Sequence, residues 1–462
     1  MGGTFLLALL SGWLASEPLV LEIEQAVEMA LGKNTAVVMA RQAIDEAESA
    51  RKQARAGFGP RLQFQMRAMK FNEPPGLAAG GMDTTGMVDQ LRQVDELARA
   101  QGSVVDQALS GALLGFGQSL AGLSDMFAAN DYDVTVTVTA AQPLSQLWAV
   151  YQAYRLSELE LDIRRLALEK ARSELAFQVR QACLQLLSAR AVQEALAGAV
   201  DTVRAHVQRA QHFVEVGLIG KNDLLQAEAR LAELEGNLSA ARHGAQLAEA
   251  RLVMLLELPY GTAIDVKEPA MEEAAALSYQ DLLARAFSAR PELREIELRI
   301  EQAERGEKAA WQGFIPGLTL IGQYQHNEGS LMLPPAWTVG VMVDFTFWEW
   351  GASYYQLEQA RSRVRRARLA LEQLRRGVEL EVQAAWLKLS QAREQMRVAG
   401  SALESAREQL RLERERYEVQ QSTTTEVLDA QSRLTQATLQ LKNAGYEELI
   451  ARAALKRAAG EI

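Results

Sequence analysis

The residues that most often carry out chemistry are few in this sequence, and they are not grouped. Cys183 is the single cysteine, which excludes an internal disulfide and any cysteine-based metal site. Its apolar neighbours on one helical face predict a core residue. The four histidines, His206, His212, His243 and His326, include no pair at i and i+4. We therefore expect no metal site built on histidine or cysteine.

Acidic side chains are numerous, but their pattern is that of a surface. Glu413 and Glu415 flank Arg414 and Arg416, and such a run on one exposed face is typical of solvated ion pairs. The sequence contains no nucleotide-binding loop, catalytic constellation or cofactor signature. Its net charge of −10 argues against nucleic acid as a partner. These observations predict a protein that is not an enzyme and that needs no cofactor.

Long helices dominate the predicted structure. After Pro143 a helical pattern continues without proline to about residue 216. A helix of this length would be about 100 Å long. From Val378 to Leu410 apolar residues recur alternately four and three apart, and Leu175 to Val207 repeats this seam. A repeat of 3.5 residues is typical of coiled coils. A second, weaker seam from Leu380 to Ser405 predicts that these helices meet neighbours on two sides.

Four strands are predicted where the apolar period changes to two. The change comes at Pro60, which cannot continue a helix, and recurs at Pro316. The predicted strands cover about 61–71, 131–141, 317–325 and 337–347. Each is close to the length with which a tilted strand crosses a bilayer. Because four strands cannot close a barrel in lipid, this interpretation requires an oligomer; a small soluble sheet packed on helices is the alternative.

The chain is an internal twofold repeat. A shift of 256 residues aligns Leu21 with Leu277 and Pro60 with Pro316, and beyond the strands the shift is 203. The first repeat therefore covers 17–276 and the second 277–462. The difference of 53 residues places an insertion at 72–130. Residues 1–16 resemble a signal peptide, with a buried N-terminal segment as the alternative.

The order of these elements resembles that of the TolC-like outer-membrane efflux proteins, over about residues 20–460. The resemblance rests on the segment 21–31, on both Phe-x-Pro changes and on the turns at 213–225 and 417–429. It implies a mainly α protein with a membrane β-barrel, in which a homotrimer closes twelve strands and continues as a tunnel of coiled helices. The implied location is the outer membrane of a Gram-negative cell, with the helices in the periplasm and lipid around the barrel.

The resemblance also assigns site residues. Asp223, Glu426 and Asp429 fall where such proteins place the acidic constriction of the periplasmic tip, and Tyr417 where they place an aromatic of the closing network. The turns expected to contact a periplasmic adaptor (membrane fusion) protein contain Val216, Gly217, Leu218, Gln420, Ser422 and Thr423. Gln420 and Ser422 depart from the usual glycine and basic residue, which argues against closure by salt bridges. A solvated turn is the alternative role of these acids.

The predicted function is a passive exit duct of a tripartite efflux or type I secretion system, working with an adaptor and an inner-membrane pump or ABC transporter. Trp337, Trp348 and Trp350 at strand ends are predicted to lie at the membrane interface. The alternative is a soluble periplasmic coiled-coil scaffold, which explains the seams but neither the strands nor the repeat.

Overall fold

The computed structural model describes residues 19–72, 84–101, 104–126, 132–217, 219–269, 278–329, 334–419 and 421–461. The predicted signal peptide at 1–16 lies outside these ranges. Residues 73–83 of the predicted insertion also lie outside them.

The fold is mostly helical, with few strands, as the sequence predicts. The helices are α1 (Ile23–Lys33), α2 (Thr35–Ala56), α3 (Thr84–Gln101), α4 (Val104–Met126), α5 (Leu147–Glu215), α6 (Lys221–Leu255), α7 (Tyr279–Ala289), α8 (Pro291–Ala310), α9 (Ala352–Glu418) and α10 (Thr424–Ala458). The strands are β1 (Leu19–Leu21), β2 (Arg61–Lys70), β3 (Tyr132–Pro143), β4 (Ile264–Val266), β5 (Gly317–Gly329) and β6 (Ala336–Asp344). The chain divides into two compact units.

The first unit comprises Met1–Arg51, Ser157–Glu304 and Arg361–Ile462, and it is helical apart from the short parallel pair β1 and β4. The predicted seams form its core: Val179, Val200, Val382 and Leu403 are all buried. The second seam differs, since Leu380, Leu387 and Val398 are more than half exposed in the single chain. The first seam is thus buried within the chain, whereas the second is exposed to solvent in the single chain.

The segments before β2 and before β5 each consist of two helices, although the helical spacing of apolar residues from Leu21 to Gly57 predicts a single helix. The breaks fall at Asn34 and Arg290, which the 256-residue shift makes equivalent. Asn34 Nδ2 donates to the carbonyl oxygen of Leu255 at 3.0 Å, and Arg290 Nε donates to that of Ala458 at 2.8 Å. These carbonyls end α6 and α10, where the helix leaves them without internal partners. The breaks therefore serve to cap two other helices.

The second unit comprises Lys52–Leu156 and Arg305–Ala360. It contains an antiparallel four-stranded sheet in the order β2-β3-β5-β6. The observed strands differ from the predicted ones mainly at two ends. The third runs on to Gly329, because its polar residues 325–329 pair with β3, and the fourth ends at Asp344 rather than residue 347, because its partner β5 begins opposite, at Gly317.

The region predicted as an insertion contains the antiparallel helices α3 and α4, which pack on each other. A buried polar contact joins them: Ser110 Oγ donates to Asp95 Oδ1 at 2.8 Å, and Asp95 also pairs with Arg99. Gly117 permits the close approach, since a Cβ there would lie 2.7 Å from Leu91 Cδ1. Small residues therefore mark a helix contact here rather than an irregular loop.

Candidate functional site

The first of the two predicted tip turns joins α5 to α6. Gly217 has φ +77°, a left-handed conformation that glycine adopts without strain. Asp223, in the first turn of α6, accepts a hydrogen bond from the Gly220 backbone N–H at 3.2 Å. The carboxylate thereby satisfies one of the unpaired N–H groups at a helix start. Val216 is 55% exposed, and Leu218 lies outside the described residues.

The second turn, between α9 and α10, carries a more complete cap. The Thr423 side chain accepts from the Glu426 backbone N–H at 3.3 Å, and Glu426 Oε2 accepts from the Thr423 N–H at 2.7 Å. This reciprocal arrangement is a capping box. The Thr423 N–H and, secondarily, the Ser422 hydroxyl lower the pKa of Glu426. Glu426 therefore stays negatively charged at neutral pH. Gln420 lies outside the described residues.

The structure brings the starts of α6 and α10 together. Thr425 Oγ1 donates to Gln226 Oε1 at 2.7 Å, which links the helix that begins beside Asp223 to the helix that begins beside Glu426. Asp429 follows one turn later on α10 and is exposed. Three acids thus lie in the first two turns of neighbouring helices, where the helix dipole favours negative charge.

Tyr417 lies between the second turn and the helices behind it. Its hydroxyl is 3.3 Å from Thr424 Oγ1, and its ring centre is 5.7 Å from that of His206 on α5. Ser422 Oγ lies 2.8 Å from Glu413 Oε2 and 2.9 Å from Glu426 Oε2. In this single chain, Ser422, which departs from the basic residue that the family resemblance implies, places its hydroxyl between two carboxylates.

The strand register collects the large apolar side chains of the sheet on one face. Directly paired residues share a face, and Phe64, Val138, Tyr324 and Trp337 form one such row across all four strands. The same face carries Leu62, Met66, Val134, Val136, Leu318, Leu320, Val339, Val341 and Val343, together with the polar residues Lys70, Gln142, His326 and Glu328 towards the strand ends. It is open to solvent in the single chain: Phe64 is 67% exposed and Val339 68%.

The opposite face of the sheet is polar. It carries Gln63, Gln65, Thr135, Thr137, Thr139, Gln323, Gln325, Asn327 and Thr338, with Met69, Ile321 and Met342 as large apolar exceptions. Gln325 Nε2 donates to Asn327 Oδ1 at 3.0 Å along one strand. The sheet therefore separates an apolar environment from a polar one.

Exposed aromatic residues lie at both ends of β6. Trp337 follows its first residue, and Trp348 and Trp350 follow its last, with ring centres 5.5 Å apart. The sequence analysis missed Trp148 and Trp311, which are also exposed in this unit. A signal was available in the sequence, because Trp148 lies seven residues after the second predicted strand and Trp311 six residues before the third.

The part of the chain that the structure describes lacks two other kinds of functional feature. None of its helices is both long and apolar enough to span a membrane. Nor does it contain a group of three or more His, Cys, Asp or Glu side chains arranged to hold a metal ion.

Comparison with known proteins gives one family and a consistent fold. The sequence model of a family described as outer membrane efflux protein matches residues 98–256 and 282–461. The fold is similar to the outer membrane channel CmeC of Campylobacter jejuni (TM-score 0.76, 16% identity, covering 95% of this chain and 85% of that one). It is also similar to the outer membrane protein VceC of Vibrio cholerae (TM-score 0.74, 18% identity, 95% and 96%). A third similar structure is the open state of the MtrE outer membrane channel of Neisseria gonorrhoeae (TM-score 0.67, 17% identity, 95% and 89%). No curated protein sequence matched the chain.

Proposed function

Because this chain belongs to the outer membrane efflux protein family, we propose that it is the passive exit duct of a tripartite efflux or type I secretion system. The membership confirms the family resemblance and the outer-membrane location predicted from the sequence. A family of channel proteins also agrees with the expectation that the chain is not an enzyme. The proposed partners are a periplasmic adaptor and an inner-membrane pump or ABC transporter.

The observation that carries the proposal is the division of the sheet into an apolar and a polar face. A membrane barrel needs apolar side chains towards lipid and polar ones towards its lumen. The nine residues of β6 extend about 30 Å, and when tilted they match the apolar height of such a barrel. A soluble scaffold gives no reason to expose Val339, Val341 and Val343 side by side on β6. We therefore assign the apolar face to lipid.

A homotrimer follows from the open edges of the sheet. Strands β2 and β6 each have one unpaired edge within the described sheet, and unpaired backbone groups are not tolerated in lipid. Three copies would close twelve strands, and the exposed second seam would supply contacts between their helices. The protein purified in detergent should have about three times the chain mass of 50.9 kDa, measured by light scattering with detergent correction. A monodisperse monomer that keeps its strand content would contradict this assembly.

At the tip, three copies of Asp223, Glu426 and Asp429 would gather negative charge around one axis. Such a ring attracts cations and repels anions. The capping bonds of Asp223 and Glu426 support this role, because they fix both carboxylates on backbone N–H groups. We therefore propose that the tip turns form the cation-selective constriction and that the same turns contact the adaptor.

We expect the double variant Glu426→Gln, Asp429→Asn to lose most of its preference for cations. Glutamine still serves in a capping box, so the fold of the turn should survive while the charge is removed. Reversal potentials in planar bilayers under a KCl gradient measure the preference. Glu404→Gln, an exposed substitution on α9, should leave it unchanged. Equal preference in both variants would place the constriction elsewhere.

The pH dependence of this selectivity should follow Glu426. In an Asp223→Asn, Asp429→Asn background, where Glu426 is the remaining acid of the ring, the preference should persist from pH 8 to about pH 5, because hydrogen bonds hold the pKa of Glu426 below its ordinary value of 4.5. It should decline only as the pH falls below 4.5. A decline already complete at pH 5 would show that another group sets the charge.

A further inference from the structure

A small cavity in the first unit has an unusual chemical lining. It lies between α5, α9 and α10 and has a volume of about 60 Å³. Its polar lining residues are Thr202, His206, Arg209, Arg414, Tyr417 and Gln431. Among the described lining residues there is no carboxylate. The cavity therefore combines two positive charges with several hydrogen-bond donors.

Neither guanidinium group pairs with a carboxylate among the side chains that the structure describes. Arg414 Nη2 donates to Gln431 Oε1 at 3.1 Å, and Arg209 Nε donates to the Ala205 carbonyl at 3.4 Å. Both acceptors are uncharged. Most other arginines on these helices behave differently; Arg411, for example, pairs with Glu408 and Glu415. The positive charge at the cavity is thus left for a ligand or for solvent.

His206 supplies the second, independent observation. His206 is only 8% exposed. Its Nε2 atom is buried and has no hydrogen-bond partner among the described residues. Buried polar atoms are rarely left unpaired. Burial, and then the charges of Arg209 and Arg414, lower the pKa of His206. The ring is therefore neutral at neutral pH, with one N–H to donate.

We propose that this cavity binds one small monovalent anion of the size of chloride. The anion would accept hydrogen bonds from the two guanidinium groups and from His206, and it would offset the charge that the protein leaves unpaired. The volume of about 60 Å³ suits one such ion with a water molecule and is too small to enclose a whole gluconate ion. This inference concerns the binding of an anion within one chain and does not rest on the proposed transport function.

The position of the cavity gives the anion a structural consequence. Arg209 and His206 lie on α5, whereas Arg414 and Tyr417 lie on α9. A bound anion would tie these two helices together behind the ring of Tyr417, close to the second turn. Chloride should therefore stabilise this end of the helical unit.

Thermal unfolding of the full chain in detergent tests the site. Sodium chloride would replace sodium gluconate at constant ionic strength, so that screening of surface charge stays equal. The unfolding midpoint should rise with chloride and follow a single-site dependence. In Arg414→Gln the apparent dissociation constant for chloride should increase at least about tenfold. In Arg411→Gln it should equal that of the wild type. Identical midpoints in chloride and gluconate for the wild type would overturn the proposal.

A direct measurement covers the case in which a variant is unstable. The ³⁵Cl resonance should broaden in the presence of the folded wild-type protein, and bromide should reverse the broadening by competition. His206→Phe, which fills the cavity and removes the donor, should abolish the competable broadening. If that variant broadens the line as the wild type does, the anion binds elsewhere and the proposal fails.

The affinity for chloride should also increase as the pH falls from 8 to 5.5. The charged or titratable groups around His206 are Arg209 from α5 and Arg414 and Tyr417 from α9, while α10 contributes the neutral Val427, Leu428 and Gln431. A bound anion favours the protonated imidazole, so by linkage protonation favours the anion. An affinity independent of pH in this range would contradict the linkage between the bound anion and protonation of His206.

Discussion

Replacing Val138 by arginine should prevent the protein from assembling in the outer membrane. Val138 lies in the middle of the inner strand β3, on the apolar face. An arginine facing lipid near the midplane of a bilayer costs about 2–4 kcal/mol per chain. Three copies in the proposed trimer would therefore cost about 6–12 kcal/mol. The measurement is the amount of trimer recovered from outer membranes, by gel electrophoresis without heating.

The neighbouring residue provides the control. Thr137 is on the same strand but faces the polar side, in a row with Gln65 and Gln325. Thr137→Arg adds the same charge and volume, yet it should assemble in nearly wild-type amounts and change only the conductance. If both variants assemble equally, the apolar face does not contact lipid, and the proposed barrel is wrong.

Replacing Arg290 by methionine should cause the largest loss of stability in the helical unit, about 3 kcal/mol. Besides capping α10, Arg290 is the buried member of an ion network: its Nη1 lies 2.7 Å from Glu381 Oε2, and Arg457 also reaches Glu381 at 3.1 Å. Burial works against the charged form of Glu381, but hydrogen bonds and charge from these arginines lower its pKa. Methionine would leave the Ala458 carbonyl without its donor. Guanidinium unfolding monitored by helical circular dichroism gives the change in free energy.

A second arginine provides a control for the loss of a positive charge alone. Arg285 also reaches the C-terminal end of the chain, through Glu461 at 2.7 Å, but its side chain is 52% exposed. Arg285→Met should change the free energy of unfolding by less than about 1 kcal/mol. Comparable losses in the two variants would mean that the network around Arg290 is no stronger than a surface ion pair.

The long helices and their buried seam could be predicted because both depend on local spacing. Apolar residues recur at intervals of 3.5 residues over many turns in the seams that contain Val179 and Val382. This signal accumulates along the sequence. The breaks at Asn34 and Arg290 could not be predicted in this way. Each stabilises the end of a helix 168 or more residues away, and a single sequence carries no record of such a pairing.

In the candidate sites too, features that depend on local sequence could be predicted, whereas contacts between distant residues could not. The acidic turns were located by resemblance, since Asp223 and Glu426 follow recognisable helix ends. Their roles as helix caps needed coordinates, because Glu426 binds the backbone of Thr423 rather than another side chain. His206 and Arg414 lie 208 positions apart in the sequence and follow no common period. The cavity between them is a product of packing that composition and spacing do not reveal.

The strand order has a consequence for the ancestry of the chain. Strands β2 and β3 come from the first repeat and β5 and β6 from the second, and the β3–β5 pairing joins the two. In a ring of three chains, pairing of β6 with β2 of the next copy would be antiparallel, like β3 with β5. The junction inside a chain and the junction between chains thus follow the same rule. Six separate polypeptides of half this length would satisfy every pairing in the ring, so duplication and fusion of a shorter gene is a sufficient origin for the present protein.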